Sequence, residues 1–217
     1  LINKTLSGLY SPGSTIKPIV ALSALENKVI DTKFKVKCTG KMELYGQTFH
    51  CWKEEGHGWV SLKNAMKQSC DTYFYEVARL LGVDRLNKTA EKFGLGKKVL
   101  GDYFDNEKKG LFPNTVWKKN NLGKGWVLGE TLITGIGQGY TQTTPLQLCM
   151  MTAQIANGGY AIKPKIIVDS NPVSYEDAKQ SMESGLLFDT DSEELIDKKL
   201  FKNQKNIKIV QEAMFAS

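Results

Sequence analysis

The sequence predicts a mixed α/β (α+β) domain that is mostly helical along this stretch. Three observations predict it. Apolar residues recur at helical spacing in separate stretches, at 14–27, 61–81, 83–93 and 145–157. Between the first two lies a glycine-bearing stretch, 31–60, holding short β-prone pieces such as Phe34-Lys35-Val36. The 217 residues, 41% of them hydrophobic, are enough for one domain with a real core.

Residues 14–27 read as the first helix. Gly13 precedes it, and Ile16, Val20, Leu22, Ala24 and Leu25 make it apolar enough to be buried. Pro18 is tolerated in the first turns, where few backbone donors are in use. Burial would place Ser14 at the edge of a core. Residues 31–60 are irregular, mixing Gly40, Gly46, Gly56 and Gly58 with the β-prone pieces, and need some other device to tie them down. Residues 61–81 read as two helices, with Ser61 as a cap, joined by a short turn at 69–71, because Ser and Asp favour turns and caps over helix interiors. A further helix covers 83–93 and is closed by Gly94.

The stretch 94–130 is rich in Gly, Lys and Asn and reads as loop with short turns. Gly135-Ile136-Gly137-Gln138-Gly139-Tyr140 is a tight glycine turn, and its glycine spacing is not that of a dinucleotide fingerprint. The helix 145–157 starts near Thr144-Pro145 and reads as buried, with Cys149 packed as a small apolar residue. Residues 160–168 read as an extended segment broken by Pro164. Residues 169–205, polar and biased, read as a surface insertion, and 206–213 as a final helix.

Composition excludes some functions. Net charge is +6, yet only Arg79 and Arg85 among the 29 basic residues are arginines. Nucleic-acid binders lean on Arg or on one basic stripe. Here the lysines are scattered among 23 acids, so no nucleic-acid partner is expected. Mild attraction to an anionic membrane or wall polymer fits the charge. No apolar run approaches the roughly 20 residues a spanning helix needs. Leu1 opens without a starting Met or signal peptide, which reads as a fragment of a longer chain.

The stretch with the most chemistry is Ser11-Pro12-Gly13-Ser14-Thr15-Ile16-Lys17-Pro18. Among the twelve serines of the chain, Ser14 alone has Lys three residues later. If a helix begins at Ser14, the hydroxyl and the amine share one face of its first turn, beside free N–H groups and the positive dipole end. A serine hydroxyl is a weak nucleophile without a base in reach, and a lysine whose pKa is lowered can be that base. Ser69-Cys70-Asp71 supplies a second polar pair. Ser69 could relay a proton, and Asp71 could orient Lys17 or bind a substrate amide. A plain helix cap is the competing reading.

A second constellation is Cys38, Cys51, His57 and Cys70, with gaps of twelve, five and twelve residues. Three thiolates and an imidazole make a closed tetrahedral Zn2+ set. Gly56 and Gly58 would let the chain turn around His57, and the metal would pin 31–60 to the turn carrying Ser69 and Asp71. Cys70 would then point away from Ser14 while its two neighbours point in. A Cys38–Cys51 disulfide, an unlinked buried Cys70, and His50 in place of His57 remain open alternatives.

Together, Pro12-Gly13-Ser14-Thr15-Ile16-Lys17-Pro18 and Ser69-Cys70-Asp71-Thr72-Tyr73-Phe74-Tyr75 resemble the Ser-x-x-Lys and Ser-Asp-Asn motifs of the penicillin-binding transpeptidases. Asp71 stands where many members have Asn. That variant, its aromatic run, and the stretch from Gly137 to Gln147 are similar to the elongation-type class B branch, the penicillin-binding protein 2 group. The resemblance runs almost continuously over 1–168. It implies the penicillin-binding transpeptidase/β-lactamase-like fold, an antiparallel sheet with a helical subdomain. Residues 1–217 would be a partial transpeptidase domain lacking the flanking strands. The third family motif, Lys-Thr/Ser-Gly, is absent, and Lys88-Thr89-Ala90 is a decoy in a helix pattern. The fragment alone is therefore expected to be inactive.

The resemblance further implies a mechanism and a setting. Ser14 would form the acyl-enzyme with a stem peptide ending in D-Ala-D-Ala, with Lys17 as base and Ser69 and Asp71 assisting. β-Lactams would acylate the same serine. Some elongation-type relatives carry a metal near the second motif, which favours zinc at the cysteine cluster. The implied setting is the periplasmic face of the bacterial inner membrane, beside a membrane glycosyltransferase. A D,D-carboxypeptidase or β-lactamase, and a penicillin-sensing receptor domain, are the rival functions.

Overall fold

The structure, a computed structural model, describes residues 3–101, 104–164, 199–201 and 203–216. A short helix α1 (Lys4–Ser7) is followed by a single 3-10 turn (Gly13–Ile16) that runs directly into α2 (Lys17–Glu26). The strands β1 (Lys35–Cys38), β2 (Lys41–Leu44), β3 (Gln47–His50) and β4 (Gly58–Ser61) come next. Then follow α3 (Leu62–Lys67), α4 (Asp71–Leu81), α5 (Val83–Lys92), α6 (Thr115–Leu122), α7 (Leu128–Thr134), α8 (Pro145–Ala156) and α9 (Gln204–Phe215).

The central element is α2. Every residue from Lys17 to Leu25 is buried. A helix that is apolar all round has no solvent face and must be surrounded. Here α3, α4, α5 and α9 surround it. Ile16, Ile19, Leu22, Phe74, Leu81 and Leu86 fill the space between them, none of them exposed to solvent. The expected helix at 14–27 is therefore present, with a tighter 3-10 first turn.

The stretch 31–60 is more regular than its sequence suggests. β1 pairs antiparallel with β4, with Val36 opposite Val60 and Cys38 opposite Gly58. β2 and β3 form a hairpin turned by Tyr45-Gly46, both at positive φ. β1 and β2 alternate exposed Lys35, Lys37, Lys41 and Glu43 with the more buried Val36, Cys38, Met42 and Leu44, a period-2 signal confined to the shortest run that can carry one, whereas β3 and β4 do not alternate. Two-stranded ladders are marginal alone and need a support. Both lie against α4.

Two helices stand in the stretch 94–130, where the sequence suggests loop. α6 is capped by Asn114, whose side chain accepts from Trp117 N at 2.7 Å, and it is closed by Gly123 in the left-handed region. α7 packs on α4. Both are short, with little apolar periodicity, and their helicity comes from caps and packing rather than from pattern. Ser61 does take the position before α3 in extended backbone, but its side chain makes no capping bond.

α8 starts as expected, with Thr144 and Gln147 in a reciprocal capping box at 2.9 and 3.2 Å. It is not buried all round, and Cys149 is exposed rather than packed. Gln147, Met150, Met151, Gln154 and Ile155 fall on the inward face at helical spacing, which leaves 149 on the outward one. Residues 165–168 of the expected extended segment, and 169–198 and 202 of the expected insertion at 169–205, lie outside the described residues. At the end of that span Lys199, Asn203 and Lys205 are exposed, as expected, but Phe201 is not. Lys199 bridges to Tyr160, and Phe201 is buried against the Phe93 ring at 5.4 Å. The last helix begins at Gln204, two residues before the expected start.

Candidate active site

Three elements bring the site together. The 3-10 turn before α2 carries Ser14, which is exposed, and the first residue of α2 is Lys17, which is 1% exposed. The turn is held from outside its own helix. Gly13 N donates to the carbonyl oxygen of Gly137 at 2.9 Å. Gly137 has φ +71, and a Cβ there would run into the Gly13 carbonyl, so glycine is required by the closeness of the two backbones. The glycine turn 135–140 is thus a clamp on the turn that carries Ser14.

The third element is the bend between α3 and α4. Ser69 has φ +50, one of three non-glycine residues at positive φ among the described residues. That conformation reverses the chain, so Cys70 points into the protein while Ser69 and Asp71 face Lys17. Lys17 Nζ donates to Ser69 Oγ at 2.9 Å, to Ser69 O at 2.9 Å and to Asp71 Oδ1 at 2.8 Å. Ser69 Oγ in turn lies 2.9 Å from Ser14 Oγ and donates to it. All four residues singled out in the sequence are therefore joined in one run of hydrogen bonds. The order differs from the simplest expectation, because Ser69 stands between the Ser14 hydroxyl and the Lys17 amine. Asp71 is not a helix cap: its two oxygens are taken by Lys17 and by Trp52 N at 3.1 Å.

The Ser14 hydroxyl opens on a cleft of about 650 Å³ that Trp52, Ser69, Asp71, Tyr75 and Gln138 help to line. Trp52 and Gln138 were not marked by the sequence as site residues. For Gln138 a signal existed, the Gly-Gln-Gly turn itself. For Trp52 the only hint is its place beside Cys51 in a polar stretch. Lys88-Thr89-Ala90 is structural: Thr89 and Ala90 are buried in α5, and Thr89 Oγ1 donates to Ser23 Oγ at 2.8 Å.

Behind the bend, Cys38 at the end of β1, Cys51 after β3, His57 before β4 and Cys70 place their ligand atoms within 4.8 Å of one another. His57 presents Nδ1, at 3.5 Å from Cys38 Sγ and 3.6 Å from Cys51 Sγ. A tetrahedral zinc with bonds of about 2.3 Å to sulfur and about 2.0 Å to nitrogen requires sulfur–nitrogen edges of about 3.5 Å. The donor set fits that ion. Gly56, at φ +80, lets the loop pass against the Cys38 carbonyl just before His57. The four cysteines are free, so the cluster holds no Cys38–Cys51 disulfide, and His50 is exposed outside the cluster. Burial raises the Cys38 thiol pKa, but hydrogen bonds with the Thr72 hydroxyl and with His57 more than offset this and bring it down to about 6. Burial pushes the Cys70 thiol up.

A serine joined through a second hydroxyl to a buried lysine, at the start of a core helix, is the arrangement of serine acyl-transfer enzymes that use lysine in place of histidine. Residues 1–215 match the penicillin binding protein transpeptidase domain, and the chain belongs to that family. It is 40% identical over 77% of its length to peptidoglycan D,D-transpeptidase MrdA of Acinetobacter baumannii, covering 25% of that protein. In structure it is similar to Pseudomonas aeruginosa PBP2, with a TM-score of 0.80 and 38% identity over 98% of this chain and 45% of the other. Helicobacter pylori PBP2 in complex with MreC matches with a TM-score of 0.73 at 33% identity, over 84% of this chain and 35% of that one. The fold is therefore the penicillin-binding transpeptidase fold, as the motifs imply. The chain spans about a quarter of the length of the curated relatives it matches.

Proposed function

We propose that these residues are the nucleophile-bearing part of a peptidoglycan D,D-transpeptidase of the elongation type. The observation that carries this reading is the unbroken run from Ser14 Oγ through Ser69 Oγ to Lys17 Nζ and Asp71, in a chain of this family. Ser14 Oγ attacks the carbonyl of the penultimate D-Ala of a stem peptide. Its proton passes to Ser69 Oγ as the Ser69 proton passes to Lys17 Nζ. Lys17 Nζ is the acceptor at the end of the run, oriented by Asp71 Oδ1 at 2.8 Å. Collapse of the tetrahedral adduct breaks the amide bond. The departing D-Ala nitrogen takes a proton back along the same run, leaving acyl-Ser14. An amine from a neighbouring stem then attacks that ester, loses its proton to the run and frees Ser14. A β-lactam enters at the first step and stays on the serine.

The test uses the full-length protein and a fluorescent penicillin. Covalent label on Ser14, lost in Ser14→Ala, is expected; label that survives this change, or none in the unaltered protein, overturns the reading. With a stem-peptide substrate, cross-linked product together with free D-Ala is expected, whereas a trimmed monomer alone identifies a carboxypeptidase.

The cysteine cluster supports a structural Zn2+ held by Cys38, Cys51, His57 and Cys70, closed to solvent chemistry and serving to fix the hairpins to the catalytic bend. Metal analysis of purified protein is expected to give about one zinc per chain; trace amounts would exclude the site. No helix among the described residues is long and apolar enough to cross a membrane. The proposed location is the periplasmic face of the inner membrane, and the proposed partners include a membrane glycosyltransferase. In support, the Helicobacter pylori relative is described in complex with MreC, and a further similar structure, with a TM-score of 0.66, is of a peptidoglycan synthase complex.

A further inference from the structure

We infer that Trp52 is a positioning residue for acylation, its indole and backbone N–H groups holding the 68–71 bend in the shape that presents Ser69 and Asp71 to Lys17. The inference rests on the acyl-serine reading above and adds a residue to it. Trp52 Nε1 donates to two successive carbonyls of the bend, Gln68 O at 3.0 Å and Ser69 O at 3.1 Å. Ser69 O also accepts from Lys17 Nζ at 2.9 Å, so the indole and the catalytic amine share one acceptor. The Trp52 backbone N–H takes Asp71 Oδ2 at 3.1 Å, leaving Oδ1 for Lys17. One residue thus fixes both sides of the Lys17 cradle.

The bend needs such a support. Ser69 sits at φ +50, which a serine holds only where its surroundings impose it. Among the groups that hold the bend from outside its own helices are Ser14, Lys17 and Trp52, and of these Trp52 alone bonds to both Gln68 and Asp71. The side chain of Trp52 is not in place for burial, since it is 64% exposed. Its ring meets His57 edge-on at 5.3 Å. A large exposed indole anchored by two polar bonds is fixed for what it holds rather than for the core it fills.

The experiment uses the full-length protein and measures the penicillin dissociation constant and the first-order acylation constant separately. One variant is Trp52→Phe. The other places β-(3-benzothienyl)alanine at 52, which keeps the shape of the ring and replaces the N–H by sulfur. Both are expected to lower the acylation constant roughly tenfold, the effect of one lost hydrogen bond at the reacting geometry, with little change in dissociation constant or melting temperature. An unaltered acylation constant in the benzothienyl variant, or a change confined to the dissociation constant, overturns the inference and leaves the indole as a wall of the cleft. Failure of the unaltered protein to label at Ser14 would instead remove the acyl-serine reading, and the inference with it.

Discussion

Ser69 carries two burdens that pull against each other. Its backbone occupies a conformation that glycine would take at no steric cost, while its hydroxyl is the link between Ser14 and Lys17. On the proposed mechanism the hydroxyl takes precedence, because the proton passes through it. Ser69→Ala is expected to lower the first-order acylation constant by about 10²–10³, with penicillin affinity nearly unchanged, in a stopped-flow acylation assay. Lys17→Met should be worse in two ways. It removes the proton acceptor, and it leaves Asp71, whose side chain is 14% exposed, without its partner. Loss of acylation together with a stability loss of about 3 kcal/mol in chemical denaturation is expected. At this scale the sequence was informative where spacing did the work. Ser14 and Lys17 are three apart, and helical geometry alone sets them on one face. It was silent on Trp52, whose partners lie sixteen to nineteen residues away.

At the level of elements, the nucleophile turn depends on a loop far from it in sequence. Gly137→Ala would place a methyl group against the Gly13 carbonyl in a left-handed residue. The expected result is a stability loss of about 2 kcal/mol and an acylation rate lowered with it, because the Gly13–Gly137 bond positions Ser14. α6 and α7 are joined by the ion pair Lys118–Glu130 at 2.5 Å, with the lysine side chain 6% and the carboxylate 19% exposed. Partial burial raises the Glu130 pKa, but Lys118 and the Val127 N–H more than offset this, and the net shift is downward. A carboxylate lowered in the folded state stabilises above its unfolded pKa, and that stability is lost as pH falls through its folded pKa. Glu130→Gln is therefore expected to lower the melting temperature at neutral pH and to differ progressively less from the unaltered protein as pH drops below the ordinary carboxylate value of 4.5. Thermal scans at several pH values check both. These two helices were not legible in advance. The caps of α6, Asn114 and Gly123, are readable signals, but eight and seven residues of weak periodicity do not outweigh a Gly- and Lys-rich composition, and α7 forms where α4 is there to pack on.

For the whole molecule, the cysteine cluster is the joint between a strand-bearing lobe and the helical core. Two marginal ladders cannot hold themselves, and among the described residues three of the four proposed ligands come from them or their connections while Cys70 comes from the catalytic bend. With zinc bound, removal by a strong chelator is expected to lower the melting temperature by on the order of 10 °C, and Cys70→Ser to do the same. Acylation should slow in parallel, since the bend loses its anchor on the face away from Ser14. An unchanged melting temperature after complete metal removal would limit the cluster to buried thiols.

The sequence by itself determined which residue types make up the proposed site. The tetrad Ser14-x-x-Lys17, the pair Ser69 and Asp71, and the cysteines Cys38, Cys51 and Cys70 with a histidine near them were each visible as residue types at workable spacings. The core helix was visible too, because its apolar surface runs all the way round. The tertiary structure decided the order within the site. Whether Lys17 meets Ser14 directly or through Ser69, which histidine joins the cysteines, and which side of α8 carries Cys149 are questions about distances across the fold. Those distances are set when α4, the hairpins and the glycine turn close around α2, and no local period or spacing encodes them.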